Sequence, residues 1–347
     1  MHGNRTLEAS LLNRRQMIRL AGAAGAYGAA SCAGLAQSPQ WAQIVEAAKK
    51  EGAVSIYSGQ GLIQLNDLAT RVKNDLGITV QVVRAADAEL TARVNAERDA
   101  GKAIADVFVD TNLAGIKARS KEGHVVAPVG PAFDAADYDK KARVPEGTYF
   151  ECNATVLTFS WNKELLPKGI KDYPDLIDPS LMGKIGVPGL VAPAYFDFYQ
   201  FLEEQYGAEF ITKLGALKPR AYPGALPMGQ AVVSGEIAAA LSTQPLIDEI
   251  AKGAPVGWGL APKAWGARFY GQILKVAPHP NAAQVLADYM VTRSGQEALA
   301  RVNTSVLPNI STAIGNTANV RHLNLDKLTP QFMDEYREKW RKTFQPG

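Results

Sequence analysis

Ala53-Val54-Ser55-Ile56-Tyr57-Ser58-Gly59-Gln60-Gly61 opens the stretch that decides the fold. A run of buried-strand character ends in a glycine-containing turn, and a helical pattern follows to about Asp75. The alternation then repeats. Ile78 to Arg84 reads as a second strand, Ala88 to Ala100 as a helix with Leu90, Val94 and Glu97 on successive turns, and Asp106-Val107-Phe108-Val109-Asp110 as a third strand. Strand, helix, strand, helix, strand is the start of a parallel sheet, because parallel neighbours need a crossover and a helix is the compact way to make one. On the N-terminal side, Trp41, Ile44, Val45 and Ala48 fall at helical spacing, so Ser38 to Glu51 reads as a helix stopped by Gly52.

On the C-terminal side the pattern changes. Thr155 to Trp161 reads as one long apolar strand, and a second α/β set begins beyond it. Gly183 to Val187 is a strand, Pro193 to Tyr206 a helix, Gln230 to Gly235 the tail of another, Ile237 to Ser242 a strand and Gln244 to Gly253 a helix. A strand over Gly266 to Ala277 returns the chain, and a helix over Ala282 to Thr292 follows Pro278-His279-Pro280-Asn281. Phe332, Tyr336, Trp340 and Phe344 recur every four residues within Thr329 to Phe344, a helix expected to lay its apolar stripe on the first lobe. The expected architecture is α/β, with two lobes joined by crossing strands. Residues 37–155 and 266–347 form the first lobe and 156–265 the second, after a leader over 1–36. A length of 347 residues suits two such cores.

The formal charge of +3 is carried by the leader, where Arg5, Arg14, Arg15 and Arg19 stand against Glu8; the rest of the chain is neutral. A neutral chain offers no electrostatic footprint for nucleic acid or an anionic membrane. Asn13-Arg14-Arg15-Gln16-Met17-Ile18-Arg19 resembles a twin-arginine export signal, and Leu20 to Ala36 is too rich in Ala and Gly for a good membrane span. Cleavage after Ala36 fits its small neighbours. Ala29-Ala30-Ser31-Cys32 also resembles a lipoprotein box, which would leave Cys32 lipid-anchored. Either route exports the protein.

Little points to chemistry. Cys32 and Cys152 are the two cysteines, and His2, His124, His279 and His322 are scattered, so no zinc-type spacing exists and no metal site or cofactor is expected. There is no Gly-x-Ser-x-Gly elbow and no His-Glu-x-x-His, which argues against a hydrolase. Cys152 reads as buried and inert.

Later segments are more specific. Gly235-Glu236-Ile237 precedes a small-residue strand. Val276-Ala277-Pro278-His279-Pro280-Asn281-Ala282-Ala283 leads into a helix ending in Thr292-Arg293-Ser294-Gly295-Gln296-Glu297. Trp161-Asn162 and Lys171-Asp172-Tyr173-Pro174-Asp175-Leu176, followed by Pro179 and Gly183-Lys184-Ile185, complete an ordered series. Over about residues 40–310 the chain resembles the extracellular (periplasmic) solute-binding proteins of ABC importers, in the branch that includes ferric-iron binders. The resemblance implies the two-lobe periplasmic-binding-protein fold, with hinge strands and an interlobe ligand cleft. It also implies a periplasmic monomer that performs no chemistry on its solute and closes on it before meeting an ABC permease. In the ferric members a tyrosine pair follows the strand after Gly-Glu-Ile. Here that place reads Leu241-Ser242-Thr243-Gln244-Pro245-Leu246 and no tyrosine pair occurs. Hydroxyls and an amide suit an organic solute better than Fe(III), which takes anionic oxygen ligands.

Ligands of open α/β lobes bind beyond the carboxyl ends of the strands. That rule selects Ser58, Gly59, Gln60, Asp110 and Thr111 in the first lobe. In the second it selects Tyr195 with Pro193 and Ala194, Gly224 with Ala225, and Ser242, Thr243 and Gln244. Trp265 is a candidate aromatic wall near the hinge and Arg268 a candidate bidentate partner for a carboxylate, with Arg84 and Arg220 as weaker versions. Other roles compete. Ser58 and Thr243 are good helix caps, Asp110 equally suits a cap over Asn112-Leu113-Ala114, Tyr195 suits a helix core, and Arg268 a solvated surface. The expected solute is a small organic anion of carboxylate or phosphonate type. A ferric-iron binder and a ligand-sensing receptor of the same fold are the alternatives.

Overall fold

The computed structural model describes residues 38–345. The twin-arginine leader, the Ala36 cleavage point and Cys32 lie outside the described residues. Helix α1 (Pro39–Glu51) opens the described residues, and everything below belongs to the compact unit that begins at Ile44.

In chain order the first half is β1 (Ala53–Ser58), α2 (Leu62–Leu76), β2 (Thr79–Arg84), α3 (Asp87–Asp99), β3 (Val107–Asp110), α4 (Leu113–Lys121), β4 (Val125–Val126), α5 (Lys140–Arg143) and β5 (Phe150–Val156). Then come β6 (Thr158–Asn162), β7 (Ile185–Pro188), α6 (Pro193–Tyr206), α7 (Ala208–Ala216), β8 (Arg220–Tyr222), α8 (Ala225–Val233), β9 (Ala239–Thr243), α9 (Ile247–Ala251) and β10 (Val256–Gly259). The chain ends with β11 (Ala264–Leu274), α10 (Pro280–Met290), α11 (Arg293–Leu299), β12 (Thr304–Ser305), β13 (Gly315–Asn316), β14 (Val320–His322) and α12 (Pro330–Phe344). Among the described residues these strands make one nine-stranded and one five-stranded sheet.

In the first sheet β1 runs parallel to β2 and β3, and β11 lies antiparallel between β3 and β5. In the second, β7 runs parallel to β8 and β9, while β6 lies antiparallel to β9 and β10. Local patterning explains the helices. On α2, Leu65, Leu68 and Val72 bury one face, and Gly77 ends it at φ 75° with its N–H on the Lys73 carbonyl. On α6, Phe196, Phe198, Tyr199, Phe201 and Leu202 are all buried, so this helix sits deep in the second lobe's core.

The register brings the two parallel edges to one place. Asp110, the last residue of β3, pairs with Tyr270, and from there β11 runs back to Gly266, which pairs with Val156 at the end of β5. The chain changes sheet at Leu157, whose N–H donates to the Trp265 carbonyl (3.2 Å). One residue later Thr158 pairs with Thr243, the last residue of β9. The carboxyl ends of β1–β3 and of β7–β9 therefore both border the crossing, which is the geometry of an interlobe cleft.

Three expectations change. The apolar run Thr155 to Trp161 is not one strand: β5 belongs to the first sheet and β6 to the second, with Leu157 between them. The helix α12 does not pack on the first lobe. Its Tyr336, Trp340 and Phe344 join the second lobe's core, with ring centroids of Tyr199 at 6.4 Å from Trp340 and 5.7 Å from Phe344. Gly215 on α7 admits the close approach: a Cβ there would lie 2.6 Å from the Thr343 carbonyl oxygen. The stripe demands an apolar partner, and the aromatic face of α6 supplies one. The chain also crosses between lobes three times, at Leu157, over 260–263 and over 323–329, the last being unforeseen.

Candidate functional site

Three loops of the first lobe meet on one carboxylate. Asp87 Oδ2 accepts both the backbone N–H (3.1 Å) and the hydroxyl of Thr111, while Oδ1 lies 2.3 Å from where a Cβ on Gly59 would stand. A side chain on Gly59 would push the Asp87 carboxylate aside, while the backbone angle there asks for no glycine. Burial raises the Asp87 carboxyl above its ordinary range, and the like charge of Asp110 adds to the shift despite the Thr111 bonds. Nothing in the sequence pattern singled out Asp87; its place at the first turn of α3, beyond β2, was the available signal.

Several predicted contacts are spent inside the lobe. The Ser58 hydroxyl donates to the Gln60 side-chain oxygen (3.0 Å) and accepts the Gln60 N–H (3.1 Å), so it folds its own turn and caps no helix. Gln60 donates on to Asn153 (2.6 Å) and is 2% exposed. Asp110 is fully buried, paired with Arg119 at 2.8 Å and holding the Asn112 N–H at 2.9 Å, while Asn112 itself caps α4. Neither Ser58, Gln60 nor Asp110 presents its side chain to a solute in this conformation.

In the second lobe, Tyr195 and Gly224 are brought together. The Tyr195 hydroxyl accepts the Ala225 N–H (3.2 Å), joining the starts of α6 and α8. Ser242 and Thr243 are fully buried; Thr243 shares hydrogen bonds with Thr158 across the β6–β9 pair, and the Ser242 hydroxyl has no partner among the described residues. Gln244 is exposed beyond the end of β9. Only Gln244 of this trio can reach a solute without rearrangement.

The hinge candidates also change role. Trp265 is a core residue, not a wall: it is 6% exposed, its indole N–H donates to Asp197 Oδ2 (2.7 Å), and its ring meets Phe198 edge-on at 5.6 Å. The Arg268 guanidinium is held by the carbonyls of Val320 and Thr317 and by Glu151 (3.4 Å), which itself faces the buried Arg143 at 3.5 Å. His322 accepts the Arg268 N–H (3.0 Å); burial, then the Arg268 charge, lower its pKa to about 4, so it is uncharged at neutral pH. Arg220 stands at the far end of β8, bound to Glu236 at 3.2 Å. Arg84, at the end of β2 opposite Ser58, is exposed and makes no ion pair with another described residue. Cys152 is buried as expected; its thiol donates to the Phe269 carbonyl (3.1 Å), and burial pushes its pKa far up.

Most helix starts bordering the cleft share a feature that residue-by-residue reading misses; α4, capped by Asn112, is the exception. The residues before α2, α3, α6 and α8 are Gly61, Ala86, Ala192 and Gly224, and none of the four caps its helix with a side chain of its own, although the first amide of α8 is taken by Tyr195. Away from them, Thr292 and Thr329 cap α11 and α12 and Glu51 takes the first N–H groups of α10 from outside (Asn281 at 3.2 Å, Ala282 at 2.7 Å), while α7 and α9 also start without a side-chain cap. Open amides at a helix start carry partial positive charge and are suited to an anion. Among the described residues no three His, Cys, Asp or Glu side chains converge on a metal position, and no helix is long and apolar enough to cross a membrane.

Two α/β lobes, three crossings and two facing strand edges define the binding-protein class. The sequence belongs to the family of bacterial extracellular solute-binding proteins, whose profile matches residues 54–302. No curated protein matches the chain. Among solved structures, iron-bound HitA from Pseudomonas aeruginosa is 18% identical, covering 84% of this chain and 99% of its own, with a TM-score of 0.58. The substrate-binding protein of an ABC transporter from Agrobacterium tumefaciens is 16% identical, covering 86% and 97%, at 0.60. AfuA from Actinobacillus pleuropneumoniae, with fructose-6-phosphate bound, is 18% identical, covering 86% and 100%, at 0.55. As a member of this family the protein is a solute binder and not an enzyme.

Proposed function

We propose that this protein captures a small organic anion, of carboxylate or phosphonate type, in the periplasm and delivers it to an ABC permease by closing its two lobes. The observation that carries the reading is the set of four uncapped helix starts, two on each lobe, at the edges that border the hinge. The anionic group sits against the starts of α6 and α8, which Tyr195 joins. Asp87 on the opposite lobe accepts from a hydroxyl or ammonium group of the solute, and exposed Arg84 and Gln244 flank the mouth. Export follows from the twin-arginine leader.

Structural neighbours of this fold carry iron in HitA, iron with citrate in the Trichodesmium protein IdiA and a sugar phosphate in AfuA, so the fold leaves the solute open. Chemistry disfavours iron here. Tyr195 lies at the second lobe's cleft edge, and its oxygen is already joined to an amide. Of the other phenols, Tyr57 donates to Glu97 (2.7 Å), and Tyr222, at the end of β8, donates to Glu236 (2.8 Å).

A thermal-shift screen of the purified protein tests the reading, against aromatic and aliphatic carboxylates, phosphonates, sugar phosphates, polyamines, amino acids and ferric citrate. A solute binding only the folded state at 100 times its Kd adds about 2.7 kcal/mol, a readable shift. A stabilising carboxylate or phosphonate is expected. Stabilisation by ferric ion alone, with the organic acids silent, overturns the solute class.

A further inference from the structure

Asp197 is fully buried in the first turns of α6, yet none of its bonds serves that helix. Its Oδ2 accepts the Trp265 indole N–H (2.7 Å), the Asn324 backbone N–H (3.1 Å) and the Arg321 guanidinium. These donors come from two of the three segments that cross between the lobes: the start of β11, and β14 with the chain behind it. Arg321 also grips Glu204 two turns further along the same helix, with both contacts at 3.1 Å. A buried carboxylate is retained only where donors and a countercharge compensate its desolvation. Here the compensation comes wholly from the hinge and reaches Oδ2 alone, Oδ1 being buried without a hydrogen-bond partner among the described residues.

The same helix begins at Pro193-Ala194-Tyr195, and Tyr195 holds the start of α8 through the Ala225 N–H. The contacts therefore run from crossing segments to Asp197, along α6, and into the two helix starts that border the cleft. We infer that Asp197 is a positioning residue that locks the second lobe's cleft-facing helices to the hinge, so that the lobe swings as one rigid piece. It does not touch the solute. The inference depends on the two-lobe reading only in requiring that the hinge move, and its test needs no ligand.

Spin labels at exposed Lys102 and Lys252, one on each lobe, report the interlobe distance in the full chain carrying Cys32→Ser, Lys102→Cys and Lys252→Cys; native Cys152 is buried and stays unlabelled. Asp197→Asn keeps an acceptor for Trp265 and Asn324 but removes the charge facing Arg321. It is expected to widen the ligand-free distance distribution about two-fold, and Trp265→Phe to widen it less. Tyr336→Phe is the control: it breaks a 2.8 Å bond to Glu203 on the same helix without touching the crossings, and should lower the melting temperature while leaving the width unchanged. A folded Asp197→Asn protein with the parental width, or equal widening by Tyr336→Phe, overturns the assignment. If Asp197→Asn does not fold, Arg321→Gln carries the same expectation from the partly exposed partner.

Discussion

Ser242 shows what a single residue's position in the pattern can hide. It stands near the carboxyl end of a strand in a binding lobe and has the right donor, yet its hydroxyl is buried without a partner. Leaving a buried hydroxyl unpaired is unfavourable by about 1–3 kcal/mol. Ser242→Ala should therefore raise stability by ~1 kcal/mol in urea unfolding and leave solute affinity unchanged; a ten-fold loss of affinity would return Ser242 to the site. Asp288 gives a second residue-level expectation. Burial raises its carboxyl to about 7, although Oδ1 accepts the Ala132 N–H at 2.7 Å. A folded-state value above the unfolded one favours folding only while the group is protonated. Its contribution is full below about pH 4 and is lost as pH rises through about 7. Melting temperature should fall across that window in the parent and fall less in Asp288→Asn, which keeps the acceptor but does not ionise.

At the scale of elements, the pattern of apolar residues carries most of the information and loses it where two partners are equally apolar. The helix α6 was legible over Pro193–Tyr206 because Pro opens it and a dense aromatic face follows. The helix α12 was legible as an element for the same reason, but its stripe fits any apolar surface, and contacts distant in sequence, such as Gly215–Thr343, the Tyr199 ring and the Tyr336–Glu203 bond, select the second lobe. Trp340→Ala should destabilise the protein by about 3–5 kcal/mol, measured by denaturant unfolding, with fluorescence of the second lobe lost first. A loss under about 1 kcal/mol would mean that the helix is not part of that core. The break at Leu157 was illegible because a strand that changes sheets keeps one continuous apolar run, and only its partners differ.

The whole molecule was the most legible scale, because alternating strands and helices permit few topologies and the resemblance named one of them. The cleft edges were also readable, since carboxyl ends of parallel strands can be counted off the sequence. Which side chains face the solute was not. Ser58, Gln60, Asp110, Trp265 and Arg268 all lie near the edge and all spend their polar atoms on the protein itself, a choice set by partners distant in sequence such as Asn153, Arg119 and Asp197. What remains free is backbone: first-turn amides of α2, α3, α6 and α8, apart from the Ala225 N–H that Tyr195 takes. Amide hydrogen exchange with and without the solute found by the thermal screen tests this most directly. Slower exchange at Leu62, Ala88, Ala194 and Leu226 together, spanning both lobes, is the predicted result. Protection confined to one lobe, or falling away from these helix starts, would contradict the account.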